Sequence, residues 1–254
     1  MAGETIIIFT KIPQAGVTKT RLIPYLNGRE CALLHCAILT DIFGQLQILC
    51  QHRPDTGIAV YYTGCADRTA FLTQYYAGLR MLFDILDEEN DKISQLQAFI
   101  EHQLSFVPQT GNDLGERMHN ALAEVLKESV KAVLVGTDCP QLGADDFSIA
   151  LRALDNHDLT IGGSADGGYY LIGFKYAYRA LFENIVWSSN SVYNASICKA
   201  RKRGLMVAEL PSYTDIDYYE DIVKLLASNS GRLRISAPLT LKYLRYLCSD
   251  KRCD

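Results

Sequence analysis

Three groups of carboxylates and one cluster of cations are the residues in this chain whose types and spacing could do chemistry. Asp138 ends the apolar run Val133-Leu134-Val135-Gly136 and is followed at once by Cys139-Pro140. Proline cannot continue a strand ladder and biases the residue before it to an extended backbone, so the turn at Asp138 is abrupt. Ligands of open parallel sheets bind just past the carboxyl ends of strands, where this carboxylate would stand. An aspartate capping the next helix is the plainer alternative. Asp215 and Asp217 flank Ile216; in extended backbone, residues two apart point the same way, so both can serve one site. Two such oxygens beside Asp138 suit Mg²⁺ or Mn²⁺, which take carboxylates together with phosphate oxygens. Asp217 also stands at capping-box spacing from Glu220, a role compatible with metal binding by Asp215.

The third acid, Asp166, lies in SADGGYYLIG, residues 164–173. Gly167 and Gly168 permit positive φ and close approach of a ligand, and Tyr169 begins a strand. Asp-Gly is equally the signal of a tight hairpin turn, and one turn could do both. The cations are Lys11, Lys19 and Arg21, three within eleven residues, in a loop containing Gly16. Such a loop after a strand suits a di- or triphosphate, although a solvated basic loop has the same composition. The spacing is not that of a Walker A loop. Gly111, Gly115 and Arg117 add a second glycine-bearing turn at a helix start, where backbone donors lack partners and an arginine could grip phosphate.

These residues need a scaffold of alternating strands and helices. Strands are expected at residues 5–10, 57–63, 133–136, 158–163, 169–174 and 206–210, with a further short one at 80–83. Helices are expected at about 27–50, 66–74, 88–104, 113–128, 143–154, 178–184, 191–203 and 218–228, with capping boxes at Asn27/Glu30 and Asp113/Glu116. Residues 106–107 read as the entry to a loop. The alternation implies right-handed crossovers and a mostly parallel sheet in one α/β domain, residues 1–230. Residues 231–254 carry six basic and two acidic side chains. They read as a basic helical extension packed through Leu239, Leu241, Leu244 and Leu247, with a membrane or partner-binding role as a further option. The tyrosine-containing apolar face of that helix is compatible with a homodimer.

With 254 residues, 48% hydrophobic and 21% charged, the chain has ample core for such a domain. A net charge of −4 provides no global field for nucleic acid. The N-terminus lacks the pattern of a signal peptide, and no apolar run approaches the length of a membrane span. Eight scattered cysteines without a C-x-x-C pair suggest buried free thiols in a reducing compartment. Together these features read as cytoplasmic.

The ordered stretches KIPQAGVTKTRLIP, QTGNDLGERM, VLVGTDCP, SADGGYYLIGF, IVWSS and DIDYYEDI, spread over residues 5–225, resemble the GT-A-type glycosyltransferase family once known only by an uncharacterised-domain label (DUF2064-like). Its members are associated with arsenosugar biosynthesis and radical-SAM proteins. The resemblance implies a nucleotide-diphospho-sugar transferase fold, a three-layer α/β/α sandwich with a mixed sheet of about seven strands. It implies a metal-dependent glycosyltransferase with a nucleotide-diphospho-sugar donor and a small acceptor. The more distant likeness to nucleotidyltransferases gives the alternative, transfer of an NMP from an NTP to a small phosphorylated acid or alcohol. By the same resemblance, Lys11, Lys19 and Arg21 hold nucleotide phosphates, and Asp138, Asp215 and Asp217 hold the cation. Asp166 is a second metal contact or the base for an acceptor hydroxyl. Trp187 and Ser188 lie on the acceptor side with Gly167, Gly168 and Tyr169; Ser189 replaces a usual threonine. The segment beyond Gly231 has no counterpart in the resemblance.

Overall fold

The computed structural model describes residues 3–89, 91–227 and 236–250. A seven-stranded sheet forms its middle layer, in the order β3-β2-β1-β4-β6-β5-β7. The strands are β1 (Glu4–Lys11), β2 (Thr56–Thr63), β3 (Leu104–Pro108), β4 (Ala132–Gly136), β5 (Leu159–Ser164), β6 (Tyr169–Phe174) and β7 (Val207–Tyr213). All neighbours pair in parallel except β6, which runs antiparallel between β4 and β5. The helices are α1 (Gly28–His52), α2 (Arg68–Leu86), α3 (Asp91–Gln103), α4 (Leu114–Val125), α5 (Ala144–Ala153), α6 (Val192–Lys202), α7 (Tyr219–Ala227) and α8 (Pro238–Asp250).

Side-chain alternation along the central strands builds the two outer layers. In β1, Ile6 and Ile8 join the core formed with α1, α2, α3, α5, α7 and α8, whereas Ile7 joins the one formed with α4 and α6. In β4, Val133 and Val135 divide from Leu134 in the same way. Period-two alternation buried on both faces explains the nearly continuous apolar runs of these strands. The chain leaves β1 toward β2 and β3 on one side, while β4 lies on the other. The carboxyl ends of β1 and β4 therefore form the switch point, where the loops that follow diverge and leave a crevice.

Helix α1 is long and apolar enough to cross a membrane by length and composition, contrary to the sequence expectation, and 78% of its most apolar window is buried inside the protein. Its buried polar residues act as rivets between layers. His35 reaches the end of β1, with Nε2 3.0 Å from Thr10 Oγ1 and 3.1 Å from the Lys11 carbonyl. Gln45 Oε1 accepts from Ala144 N at 3.1 Å. Asp41 accepts from Leu239 N at 3.1 Å and Thr240 N at 2.8 Å, holding the start of α8. Burial pushes the Asp41 carboxyl up to about 7 against the opposing pull of those bonds.

Several expectations need correction. Residues 80–83 are part of α2, not a strand, because nothing between Arg68 and Leu86 interrupts the helix. Residues 106–107 belong to β3, a short edge strand beside β2. The helix expected at 178–184 is only a 3-10 turn, Arg179–Leu181. Strand β7 runs past Pro211, which an edge position tolerates. The Asn27/Glu30 capping box is complete. At α4, Asp113 accepts from Glu116 N, but Glu116 returns to Asn112 N. The apolar side chains Leu239, Leu241, Leu244 and Leu247 of α8 are buried in the core cluster shared with α1 and α2. Residues 228–235 and 251–254, which include the boundary expected near 230 and Arg232, Arg234, Lys251 and Arg252, lie outside the described residues. The seven described cysteines are free thiols.

Candidate active site

At the switch point a cavity of about 570 Å³ opens between the loops after β1, β4 and β7 and the turn between β5 and β6. Most of the chemistry-bearing residues singled out in the sequence converge on it from distant parts of the chain. Lys11 comes from the end of β1, Lys19 and Arg21 from the loop that follows, Arg117 from α4 and Asp138 from the turn after β4. Asp166, Gly168, Tyr169, Trp187, Ser188, Asp215 and Asp217 complete the wall. Gly16, Gly111 and Gly167 do not line the cavity. Gly16 turns the first loop at φ 77°. Gly111 packs on the first turn of α4, where an added Cβ would lie 2.8 Å from Arg117 N.

One oxygen from each of Asp166, Asp215 and Asp217 lies within 4.8 Å of the others. Local bonds hold the segments that carry these acids in place. Asp166 Oδ1 accepts from Ser164 Oγ at 2.5 Å and Gly168 N at 2.8 Å. Gly167, at φ 88°, allows the turn to lie against the next loop, since a Cβ there would be 2.1 Å from Asn190 O. Ile216 N donates to the Asp138 carbonyl at 2.9 Å, which ties the Asp215–Asp217 segment to the end of β4. The expected Asp217/Glu220 capping box is replaced: Asp221 Oδ2 accepts from Asp217 N and Tyr218 N, leaving the Asp217 carboxylate to face the cavity. Upstream, Tyr170 donates to Pro211 O at 2.9 Å and stacks on Tyr213, whose hydroxyl donates to Asp146 at 2.7 Å.

The first loop folds onto these acids. Lys19, in the left-handed region at φ 54°, directs its ammonium to the Asp138 carboxylate and, at 2.7 Å, to the Ile216 carbonyl. A lysine in this conformation is strained, and such strain concentrates at functional sites. Ser188, which also lines the cavity, has φ 62°. Arg21 Nη1 reaches Asp217 Oδ2 at 2.5 Å. Among the described residues, Lys11 and Arg117 form no ion pair, so two of the four cavity cations are committed to carboxylates and two are not.

The electrostatics follow from this arrangement. Burial raises the Asp215 carboxyl, and Asp166 and Asp217 add to the effect, bringing it up to about 7. Burial also raises Asp217, against the pull of Lys19. Asp138 has its side chain half exposed; the loops packed around it would raise its carboxyl, yet the Lys19 ammonium holds it below the usual carboxylate range. Three crowded acids, one of them reluctant to ionise, fit a divalent cation whose charge would relieve their repulsion. The cluster contains Asp166 and not Asp138, which lines the same cavity with its carboxylate on Lys19.

Other wall residues carried no local signal. His35, Thr10 and Thr137 form a buried chain beneath Lys19. His35 is held neutral by burial and by Lys19, down to about 4. Because a carbonyl only accepts, Nε2 carries its proton toward Lys11 O. Gln109 donates to the carbonyls of Thr10 and Tyr61, both at 3.0 Å, joining the ends of β1 and β2. Its position in QTGNDLG was the only available clue. In the sequence Gly115 reads only as part of a glycine-bearing helix start, but its missing side chain makes room for Trp187, whose ring would lie 2.6 Å from a Cβ there.

With this geometry in view, comparison with known proteins gives a consistent result. The family described as "Uncharacterized protein conserved in bacteria (DUF2064)" matches residues 50–189, more than half of the chain. The chain belongs to the DUF2064 family. No curated protein matches it. A crystal structure from Desulfovibrio desulfuricans G20, provisionally described as a nucleotide-diphospho-sugar transferase, superposes with a TM-score of 0.79 at 28% identity. That match covers 100% of this chain and 98% of the other. At lower similarity stands a cytidylyltransferase from Leptospira borgpetersenii, with TM-score 0.47, 13% identity and coverage of 99% and 96%. Rv0371c of Mycobacterium tuberculosis H37Rv, in complex with manganese, gives 0.44, 16%, and 89% and 99%. This DUF2064 chain thus has the nucleotide-diphospho-sugar transferase fold.

Proposed function

We propose that this protein is a divalent-cation-dependent glycosyltransferase that takes a sugar from a nucleotide-diphospho-sugar donor to a small acceptor. The observation that carries the reading is the meeting of Asp166, Asp215 and Asp217 within 4.8 Å, in a cleft that also holds Lys11, Lys19, Arg21 and Arg117. The similarity to the Desulfovibrio protein, at full coverage, supports the donor class.

Asp166, Asp215 and Asp217 would hold the cation, with Asp138 beside them as a fourth carboxylate. When bound, the cation supplies positive charge to the donor diphosphate and to the nucleotide diphosphate that leaves. Lys11 and Arg117, in no ion pair among the described residues, bind and orient the phosphates, and the planar guanidinium can take two oxygens at once. Cations fixed before the reaction begins stabilise developing negative charge without reorganising, usually the largest catalytic effect. Asp166 is the exposed member of the triad, with Oδ1 taken by Ser164 and Gly168. Its Oδ2 is therefore the oxygen left open to the cation. Trp187 and Ser188 also line the cleft and would serve the acceptor, with an aromatic face and a hydroxyl suited to a polar ring.

Calorimetry with a panel of nucleotide-diphospho-sugars and NTPs, with and without Mn²⁺, tests the reading. It expects one nucleotide-diphospho-sugar to bind in a Mn²⁺-dependent way and to turn over with release of the nucleotide diphosphate. Tight binding of one NTP, with pyrophosphate release and no response to any sugar nucleotide, would replace it with nucleotidyl transfer.

A further inference from the structure

The pairing of Arg21 with Asp217 places a cation against the carboxylate group assigned above to a metal ion. Arg21 Nη1 lies 2.5 Å from an Asp217 oxygen, and Asp217 shares its 4.8 Å cluster with Asp166 and Asp215. Asp217 outweighs every other influence on the guanidinium, and Asp166 contributes as well. The arginine also has a seat for its flat face, 5.6 Å over the Tyr218 ring. Four residues further along the same loop, Tyr25 stacks on Tyr219 at 4.8 Å with 16° between the planes. Two neighbouring segments, residues 19–25 and 215–219, are thus joined by charge at the acids and by aromatic stacking outside them. The Arg21 side chain is 49% exposed, so it can swing away without crossing the core.

We infer that Arg21 is an exchangeable counterion of the cation site: it neutralises Asp217 while the site is empty and moves to the donor phosphates as the cation enters. This rests on the triad being a cation site. Arg21 and a divalent ion compete for Asp217, so removing Arg21 makes room for the ion. Conversely, a phosphate that draws Arg21 away prepares the carboxylates for the ion. Donor and cation therefore bind with positive coupling beyond their direct contact, and the coupling is reciprocal. The Tyr25–Tyr219 stack is independent of Arg21, which keeps the loop in place during the exchange.

The test measures binding of Mn²⁺ alone, by calorimetry or electron paramagnetic resonance, to the full chain and to Arg21→Gln. The half-exposed pair and the removed positive charge together predict Mn²⁺ binding roughly three- to tenfold tighter in the variant. Arg117→Gln makes the same charge change in the same cavity without breaking a carboxylate pair, and should change Mn²⁺ affinity less than about twofold. In metal-free buffer, Asp217→Asn should bind inorganic pyrophosphate more tightly because Arg21 is released. The double variant Arg21→Gln/Asp217→Asn should lose that gain. Equal Mn²⁺ affinity in wild type and Arg21→Gln, or the same gain in Arg117→Gln, overturns the counterion role while leaving the cation site standing. No Mn²⁺ binding to either protein overturns both.

Discussion

Replacing Asp138 with asparagine leaves the ammonium of Lys19 without its anion in a place water hardly reaches. The Lys19 side chain is 2% exposed, and its other acceptor is the Ile216 carbonyl at 2.7 Å. Breaking a fully buried pair from one side costs about 3–5 kcal/mol, whereas an exposed pair is worth roughly 0–1 kcal/mol. Asp138 is 54% exposed, so this pair stands between the two limits. A loss of about 2 kcal/mol follows, which for a chain of this size lowers Tm by about 4–8 °C. Lys19→Met alone should cost less, since the freed Asp138 carboxylate stays solvated. The double variant Lys19→Met/Asp138→Asn should recover about 1–2 kcal/mol relative to Asp138→Asn, because no buried charge is then stranded. Urea denaturation of the four proteins in metal-free buffer reads the cycle. Stability of Asp138→Asn within about 0.5 kcal/mol of wild type, or no rescue by Lys19→Met, would refute the buried-cation account. An inactive Asp138 variant is therefore interpretable only beside its stability.

Other consequences can be measured separately. Gly167→Ala should destabilise by about 2–4 kcal/mol and weaken Mn²⁺ binding, because its Cβ meets Asn190 O at 2.1 Å in a left-handed turn that carries Asp166; Gly16→Ala, with open space around it, is the control for backbone strain alone. Asp41 gives a pH signature away from the cavity. Its folded value of about 7 stands above the unfolded 3.8, so its contribution is complete below about pH 4 and is lost as pH rises through 7. Denaturation from pH 4 to 8 should therefore show wild type losing stability relative to Asp41→Asn, by at most about 4 kcal/mol; parallel profiles would contradict this. Lys11→Gln and Arg117→Gln should each weaken pyrophosphate binding in the presence of Mn²⁺ by about tenfold, with stability unchanged within about 0.5 kcal/mol. Loss of stability without loss of affinity would assign these cations to the fold.

Much of the fold was legible because its signals are local. The run Thr5-Ile-Ile-Ile-Phe9 and the abrupt end at Asp138-Cys139-Pro140 depend on strand burial and proline geometry within a few residues. Residues 80–83 misled because four residues, mostly apolar, fit a strand or a helix equally well, and only the unbroken span Arg68–Leu86 decides between them. β3 is short, with four of its five residues exposed or half-exposed at the sheet edge, so it lacks the strong apolar pattern of β1. The site residues were legible as types, but their pairing was not. Lys19 and Asp138 are 119 residues apart, and Arg21 and Asp217 are 196 apart. No spacing rule predicts that Asp166 rather than Asp138 completes the carboxylate cluster, which depends on how the β5–β6 turn meets the segment after β7. His35 and Gln109 escaped for the same reason, since each acts on strand ends brought to it by the sheet.

The most direct measurement is anomalous scattering at the manganese edge from crystals soaked in Mn²⁺. The account predicts one strong peak within coordination distance of Asp166, Asp215 and Asp217, with Arg21 displaced from Asp217. A well-ordered site with no peak, or a peak bound by Asp138 alone and remote from the other three acids, would contradict it.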